Sequence, residues 1–270
     1  MAHSHHLLIY GCGKMGGAML RGALAGGWPA ADISVIEPNP SSELLGLLGH
    51  HAFALNPQSP RAARLVLVSV KPQMLDVAAP GIEPWLNDAS VVVSIMAGKS
   101  IADIARRLPR ATRFVRAMPN TPAAIGRGIT GAFAGEALSP DDREMVRRLL
   151  VTTGRLEWVE NEALIDAVTA VSGSGPAYVF HLVECMAAAG ERLGLSPAIA
   201  MGLARATIEG AGELLFQEPG TSPETLRKNV TSPGGTTAAA LEVLMAENGL
   251  APLMARAIAA ADARAKALSG

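Results

Sequence analysis

The first part of the chain, up to about residue 159, alternates short apolar runs with helix-like stretches. The clearest apolar runs are LLIY, ISVIE, LVLVSV, SVVVSIM and TRFVRAM. Runs of this length that are rich in β-branched residues predict β-strands. Strands that are apolar throughout are typical of a parallel sheet, because helices cover both of its faces. The pattern therefore predicts an α/β domain built on a parallel sheet.

The pattern changes after about residue 160 to long segments rich in Ala, Leu, Met and Gly, with few β-branched clusters. These segments are interrupted by SGSGPAY, GLSP, EPGTSPE and TSPGGTT, and they predict helices. We place the domain boundary here, which gives domains 1–160 and 161–270. Because Ala and Gly bury little apolar area each, and the final predicted helix has Ala-rich faces, we expect the helical domain to associate with other subunits as a homodimer or larger homo-oligomer.

Composition and charge narrow the range of functions. A 270-residue chain with 49% hydrophobic and 17% charged residues is typical of a protein that buries a core. A formal net charge of -1 argues against a nucleic-acid partner, because binding to a phosphate backbone needs a broad basic surface. No apolar run approaches the roughly 20 residues that cross a bilayer, so we expect no membrane partner.

The two cysteines and the N-terminal histidines carry no evident chemistry. Cys12 and Cys185 lack the spacing of a disulfide framework or a zinc site, so we expect no metal and a cytoplasmic location. His3, His5 and His6 are interpreted as a tail without a function.

A glycine-rich motif directly follows the first predicted strand. It consists of Gly11, Cys12, Gly13, Lys14, Met15 and Gly16. In a GxGxxG motif the first glycine permits a tight turn, the second lets a diphosphate approach the backbone, and the third lets the next helix pack closely. The alternative is an ordinary glycine-rich turn. The strand before the motif and the helix-like GAMLRGALAGG after it favour a dinucleotide, with nicotinamide more plausible than a mononucleotide.

The end of the second predicted strand bears on the choice of cofactor. Glu37 stands there, 21 positions after Gly16, where a carboxylate can hold the ribose hydroxyls and oppose a 2′-phosphate. On that residue alone NADH leads, although a solvated strand end is an equal interpretation. Asn39, Ser41 and Ser42 in the next loop could instead bind a phosphate, but no arginine lies in that loop to pair with it.

Further polar residues follow later predicted strands, where ligand contacts concentrate in doubly wound sheets. Lys71 could bind an anion or accept a proton, or it could be a surface lysine, while Pro72 fixes the turn. Asn120 offers a donor and an acceptor between two prolines, which suits either a ligand contact or an Asx turn.

A second candidate anion site lies in the helical half of the chain. Its residues are Asn229, Ser232, Gly234, Gly235, Thr236 and Thr237, followed by the helix-like AAALEVLMAENG. Two glycines let backbone N–H groups converge, and three hydroxyls suit a small carboxylate or an imine nitrogen. A simple helix cap needs only one of those hydroxyls, so we favour a ligand site.

The histidines of the chain form no evident Ser/His/Asp series, so hydrolysis has little support. Oxidation of an alcohol by a nicotinamide enzyme commonly needs a base, for which Lys71 is a candidate. Reduction of an already protonated cyclic imine needs only a group that orients the nitrogen. Thr237 can meet that requirement.

Five motifs together resemble the pyrroline-5-carboxylate reductase family over nearly the whole chain: GCGKMG, VKPQ, MPNTP, SGSGPAY and NVTSPGGTTAAALEVL. The resemblance implies an N-terminal Rossmann-type domain with a doubly wound parallel sheet and an all-helical C-terminal dimerisation domain. It implies hydride transfer from NAD(P)H to the C=N bond of 1-pyrroline-5-carboxylate, which gives L-proline. NADPH is the expected cofactor and NADH is possible, since Glu37 departs from the uncharged residue common at that strand end.

The resemblance also implies roles for individual residues. The positions on the cofactor side are Lys71, Pro72, Asn120 and Glu162, with Asn56 near the adenosine. The SPGGTT loop matches the substrate loop, with Thr237 near the ring nitrogen as the expected catalytic residue. The alternatives are a related imine or hydroxyacid dehydrogenase and a non-catalytic dinucleotide-binding regulatory protein.

Overall fold

The computed structural model describes residues 5–269, and the chain divides into two units. The first unit contains the chain up to Gly173 and the segment from Ala261 onward, and the second contains Ser174–Ala260. The domain boundary between residues 160 and 161 stays a prediction. His3 of the expected tail lies outside the described residues.

The first unit is built on a twisted sheet that forms its centre. In chain order its strands are β1 (Leu7–Tyr10), β2 (Ile33–Ile36), β3 (Ala54–Leu55), β4 (Leu65–Val68), β5 (Val91–Ser94), β6 (Arg113–Pro119), β7 (Gly128–Ala134) and β8 (Gly154–Trp158). Across the described residues the strand order is β3-β2-β1-β4-β5-β6-β7-β8. All neighbours run parallel except β6 and β7, which are antiparallel. The chain order reverses between β1 and β4, where doubly wound sheets bind their ligands.

The five apolar runs of the sequence form β1, β2, β4, β5 and β6, so the predicted α/β sheet is confirmed. The side chains of β1, β4 and β5 are buried on both faces of the sheet, apart from the half-buried Tyr10, which explains their mostly apolar pattern. The sheet has more strands than the five apolar runs predict, and two of the additional strands, β7 and β8, lie at one edge. β7 reads GITGAFA, and its two glycines weaken the strand pattern in the sequence.

Helices cover the sheet and form the second unit. In chain order they are α1 (Lys14–Ala25), α2 (Ser42–His50), α3 (Leu75–Ile82), α4 (Ile101–Ala105), α5 (Pro140–Leu150), α6 (Leu164–Val168), α7 (Gly175–Arg192), α8 (Pro197–Gln217), α9 (Pro223–Asn229), α10 (Thr236–Leu244) and α11 (Leu250–Ser269). Helix α11 begins in the second unit and ends in the first. No described helix is long and apolar enough to cross a membrane.

The second unit is helical, as the sequence predicts, but it buries little apolar surface by itself. Its described core consists of Ala187, Ala200 and Ala204, where α7 packs against α8. Many large apolar side chains of this unit stay exposed. They include Val179, Phe180, Leu182, Leu193, Ile199, Met201, Leu203, Leu214, Leu215, Phe216, Val243, Leu244 and Met245. A surface of this kind marks a protein interface.

The interpretation of the N-terminal histidines as a tail is wrong for His6. Its side chain is buried, and its ring nitrogens bond the Ser34 hydroxyl at 2.9 Å and the Ala62 carbonyl at 3.2 Å. Burial lowers the pKa of His6 below 6.5, so the ring is neutral at pH 7. His6 therefore belongs to the packed start of β1.

Candidate active site

The turn after β1 cannot accommodate side chains at its first and third glycines. Gly11 has φ +89°, and a Cβ there would lie 2.9 Å from the Ser69 carbonyl oxygen. A Cβ on Gly16 would lie 2.4 Å from the Gly11 carbonyl oxygen, which accepts a hydrogen bond from the Ser69 hydroxyl. The chain's own packing therefore requires both glycines.

The second glycine is different, because none of the described residues occupies the space beside it. A Cβ on Gly13 would meet no atom within 4 Å, and Gly13 is exposed at the N-terminus of α1. No side chain caps α1, and its first turn contains no acidic residue. The first N–H groups of the helix and its positive dipole end therefore face open space, which fits a dinucleotide diphosphate.

Glu37 lies directly beyond β2 and is held by the backbone around it. One carboxylate oxygen accepts the Cys12 N–H at 2.8 Å, and the other accepts the Asn39 N–H at 3.0 Å. Asn56, with φ 47°, clamps Glu37 from the other side by accepting its N–H at 2.8 Å and donating to its carbonyl at 2.9 Å. The structure therefore brings together three residues expected near the adenosine, and Glu37 ties the end of β2 to the glycine-rich turn.

Cys12 contributes its backbone rather than its thiol to this turn. Burial, together with the nearby negative charge of Glu37, raises the pKa of the Cys12 thiol to about 12. The thiol therefore stays protonated at neutral pH and does not act as a nucleophile.

An open cleft of about 410 Å³ adjoins the turn. Its lining includes Cys12, Gly13, Lys14, Gly17, Arg21, Glu37, Asn39, Ser41 and Glu43. Sequence reasoning found no arginine in the loop after β2, yet Arg21 reaches this cleft from α1 and donates to Glu43 at 2.5 Å. The sequence signal is the four-residue spacing from Gly17 to Arg21, because residues i and i+4 share one face of a helix.

Lys71 and Pro72 follow β4, the strand beside β1. Lys71 is exposed, and Pro72 begins a 3₁₀ turn over Pro72–Met74. Because the carboxyl ends of neighbouring parallel strands meet at one edge of the sheet, Lys71 lies at the same edge as the glycine-rich turn. The position suits a contact with the cofactor or a substrate anion.

Asn120, at the end of β6, is buried and braces the loops around it. Its side-chain oxygen accepts the Ile129 N–H at 2.9 Å, and its amide nitrogen donates to the Ser172 carbonyl at 3.2 Å. Ser172 lies in a π-helical turn over Thr169–Gly173, within the SGSGPAY motif. Asn120 therefore connects two of the sequence motifs, and its cofactor contact stays a prediction.

Glu162 has partners within the first unit. Its carboxylate accepts the Ile101 N–H at 2.7 Å at the start of α4 and lies 3.5 Å from the buried Arg116 guanidinium. Arg116 also donates to Asp166 at 2.9 Å. These contacts give Glu162 a structural role, and its assignment to the cofactor also stays a prediction.

The loop before α10 is exposed in the second unit and starts its helix without a cap. Gly234 has φ +69°, the Gly235 N–H donates to the Ser232 carbonyl at 3.1 Å, and α10 begins at Thr236. No side chain caps α10, although Ser232, Thr236 and Thr237 are close in sequence, and its first turn contains no acidic residue. The simple-cap interpretation is therefore not what the structure shows, and the open N–H groups suit a small carboxylate.

Both halves of the chain match known protein families. A sequence model described as pyrroline-5-carboxylate reductase dimerisation matches residues 162–268, and one described as NADP oxidoreductase, coenzyme F420-dependent, matches residues 7–98. The chain is 38% identical over 265 residues to a pyrroline-5-carboxylate reductase of Pseudomonas aeruginosa, covering 97% of this chain and 96% of that protein.

Two solved structures resemble this chain over nearly its full length. The structure of a pyrroline-5-carboxylate reductase from Coxiella burnetii has a TM-score of 0.90 at 33% identity and covers 99% of this chain and 100% of that one. A Plasmodium falciparum pyrroline carboxylate reductase with NADP bound has a TM-score of 0.79 at 26% identity, with 98% of each chain covered.

Proposed function

Because this chain belongs to the pyrroline-5-carboxylate reductase family, we propose that it reduces the C=N bond of 1-pyrroline-5-carboxylate and so forms L-proline. The cofactor is a nicotinamide dinucleotide, which supplies the hydride when it is bound in reduced form. The protein acts as a homodimer or larger homo-oligomer on a small-molecule substrate, and we place it in the cytoplasm.

The observation that carries the proposal is the uncapped start of α10. Its first turn offers backbone N–H groups from Thr236 onward, two threonine hydroxyls and no opposing acidic side chain. A five-membered cyclic imino acid presents a carboxylate and a ring nitrogen a few bonds apart. The carboxylate suits the N–H groups and the nitrogen suits a hydroxyl, so one short loop can hold both.

Five residues of the loop divide three tasks in this reaction. Gly234 and Gly235 let the backbone approach the substrate carboxylate, and Ser232 and Thr236 add hydroxyl donors. The half-buried Thr237 orients the ring nitrogen. Since the imine is already protonated, the chain needs no strong base, and placement of the ring against the hydride donor supplies much of the acceleration.

We propose NADPH as the preferred cofactor, with NADH as a possible substitute. The N–H groups around Gly13 at the start of α1 would hold the diphosphate, and Lys71 and Pro72 border the same edge of the sheet. Asn56 and Glu37 hold the loop near the adenosine. The NADP-bound relative from Plasmodium falciparum supports this choice.

The test compares the wild type with Thr237→Ala and Thr237→Ser. We expect Thr237→Ala to lower kcat/KM for 1-pyrroline-5-carboxylate by about tenfold to a hundredfold, which is the effect of losing one orienting hydrogen bond. Thr237→Ser keeps the hydroxyl and should recover most of the activity. The dissociation constant for the cofactor should stay within about twofold of the wild-type value.

Substrate-free controls separate this function from its alternatives. A wild type that binds the dinucleotide but oxidises it no faster with 1-pyrroline-5-carboxylate than without it contradicts the proposed reaction. Unchanged turnover in Thr237→Ala would remove Thr237 from the mechanism while leaving the reaction in place.

A further inference from the structure

The cleft beside the glycine-rich turn is lined by Arg21, a cation that lies outside both the glycine-rich motif and the loop after β2. Arg21 lies on α1, and its guanidinium folds back along the helix, where a Cβ built on Gly17 would lie 3.7 Å from it. The guanidinium therefore lies beside Gly17, in the first turn of α1. The side chain thus reaches the cleft that Asn39 and Ser41 line from the loop after β2.

The charges that line this cleft are balanced. Lys14 and Arg21 are cationic, and Glu37 and Glu43 are anionic. Lys14 is the first residue of α1 and so belongs to the turn that faces the diphosphate. Arg21 is therefore the lining cation that remains for any group bound near the loop after β2.

The Arg21 partner in the structure can be replaced. Arg21 donates to Glu43 at 2.5 Å, but about one third of the Arg21 side chain and two thirds of the Glu43 side chain are exposed. Ion pairs that are this exposed contribute little to stability. A phosphate offers a guanidinium more charge and two well-placed acceptor oxygens, so exchange of the carboxylate for a phosphate is favourable.

Because Glu37 stays in the cleft, binding of a 2′-phosphate depends on this exchange of partners by Arg21. The Glu37 carboxylate is held in the cleft by the N–H groups of Cys12 and Asn39, so moving away from a bound anion would break both hydrogen bonds. Without Arg21, a 2′-phosphate in this cleft would face Glu37 and Glu43, and the remaining lining cation, Lys14, belongs to the turn that faces the diphosphate. When Arg21 is present, the phosphate takes the place of the Glu43 carboxylate, and the charge of the guanidinium counteracts the repulsion from Glu37.

We propose that Arg21 is the residue that allows this chain to bind the 2′-phosphate of NADPH, by leaving Glu43 and pairing with the phosphate. The inference rests on the proposed nicotinamide chemistry and adds the residue that sets cofactor preference. Glu43 acts as its competitor, and Glu37 keeps the cleft open to NADH, whose ribose hydroxyls can donate to a carboxylate.

The experiment measures dissociation constants for NADPH and NADH by calorimetry on the wild type, Arg21→Met and Glu43→Gln. Arg21→Met keeps an unbranched apolar stem and removes the charge. We expect it to weaken NADPH binding at least tenfold, the effect of losing a charge-assisted pair, and to change NADH binding less than twofold. Glu43→Gln releases Arg21 and should tighten NADPH binding several-fold.

Arg147→Met is the matched control, because Arg147 also pairs with a glutamate, Glu144, but on the exposed face of α5 and outside the cleft. It should leave both constants unchanged. Adenosine 2′-phosphate and adenosine 5′-phosphate, measured on the same variants, isolate the phosphate contact from the rest of the cofactor. Only the 2′-phosphate should distinguish Arg21→Met from the wild type.

The outcomes separate this inference from the proposed function. Equal NADPH-to-NADH ratios in the wild type and Arg21→Met overturn the role of Arg21, whatever the turnover. Binding without substrate-dependent oxidation in the wild type overturns the proposed reaction and leaves the Arg21 result standing. A wild type that binds neither dinucleotide overturns both.

Discussion

At the scale of single residues, the three glycines of the turn after β1 have different reasons to lack a side chain. A Cβ on Gly16 would meet the Gly11 carbonyl oxygen at 2.4 Å, whereas a Cβ on Gly13 would meet nothing within 4 Å. The fold therefore requires the third glycine, whereas the described residues leave room for a side chain at the second. Substitutions at the two glycines should therefore have different effects on folding and on dinucleotide binding.

We expect Gly13→Ala and Gly16→Ala to separate folding from binding. Gly13 has φ −70°, which alanine adopts without strain, so Gly13→Ala should keep the wild-type melting temperature and weaken dinucleotide binding at least tenfold. Gly16→Ala should lower the free energy of unfolding by about 2 kcal/mol, because backbone must move. Thermal unfolding and calorimetric titration with NADPH measure both.

Gly46→Ala on α2 provides the control for these substitutions. A Cβ there meets no atom within 4 Å, and alanine in a helix interior stabilises it by about 0.5–1 kcal/mol relative to glycine. We expect a slightly raised melting temperature and unchanged binding. Wild-type affinity in Gly13→Ala would mean that the diphosphate does not approach this glycine.

The residues of the candidate site differ in how far apart their partners lie in the sequence. The sequence predicts the glycine-rich turn, Glu37 and the SPGGTT loop as parts of the site, because each motif is local in the sequence. The pairing of Arg21 with Glu43 was missed, since the two residues lie 22 positions apart and meet only when α1 and α2 pack beside the turn. Likewise, the two polar groups of Asn120 suggested a ligand contact, and the structure shows protein partners for both.

At the scale of elements, the strands that the sequence predicted are those buried on both faces. The runs in β1, β4 and β5 are almost entirely apolar, so their pattern is strong. β3 is only two residues long, β8 alternates half-buried and exposed positions, and β7 contains glycines. In β7, a Cβ on Gly131 would lie 2.6 Å from Val168, so tertiary packing of α6 explains a residue that weakens the local strand signal.

The attachment of α5 to the sheet depends on one buried carboxylate. Asp142 forms a capping box with Ser139 and also pairs with Arg64, beside β4, and with Arg113, the first residue of β6. Burial alone raises the pKa of Asp142, but hydrogen bonds from Arg64 and Ser139 outweigh it and hold the pKa below the ordinary value of 3.8.

We expect Asp142→Asn to lower the free energy of unfolding by about 2 kcal/mol at pH 7, because both arginines lose their buried counter-charge. A depressed pKa stabilises the fold above the ordinary value near 3.8, and this contribution is lost as the pH falls below it. Urea unfolding from pH 7 to pH 3 should therefore show the two proteins converging at low pH. A constant difference would contradict this role.

At the scale of the whole molecule, the second unit has more apolar surface than it can bury by itself. Its buried core consists of alanines, while Phe180 is 64% and Leu203 57% exposed. The Ala-rich sequence predicts an exposed apolar surface, because small residues bring helices close together without burying much area. Which side chains stay outside depends on how α7 and α8 pack, and the sequence alone does not fix that.

We expect Phe180→Glu to shift the protein from a dimer or larger assembly toward monomer. A phenylalanine side chain that is buried in an interface contributes about 1.5–3 kcal/mol, so the dissociation constant of the assembly should rise at least tenfold. Val77→Glu on α3 is the control, because Val77 is 70% exposed but belongs to the first unit. Sedimentation velocity over a dilution series measures both variants, and circular dichroism checks that each stays folded. If Phe180→Glu dissociates and keeps full turnover, assembly is not needed for catalysis. If the wild type is already a monomer, the apolar surface of α7 and α8 does not join subunits.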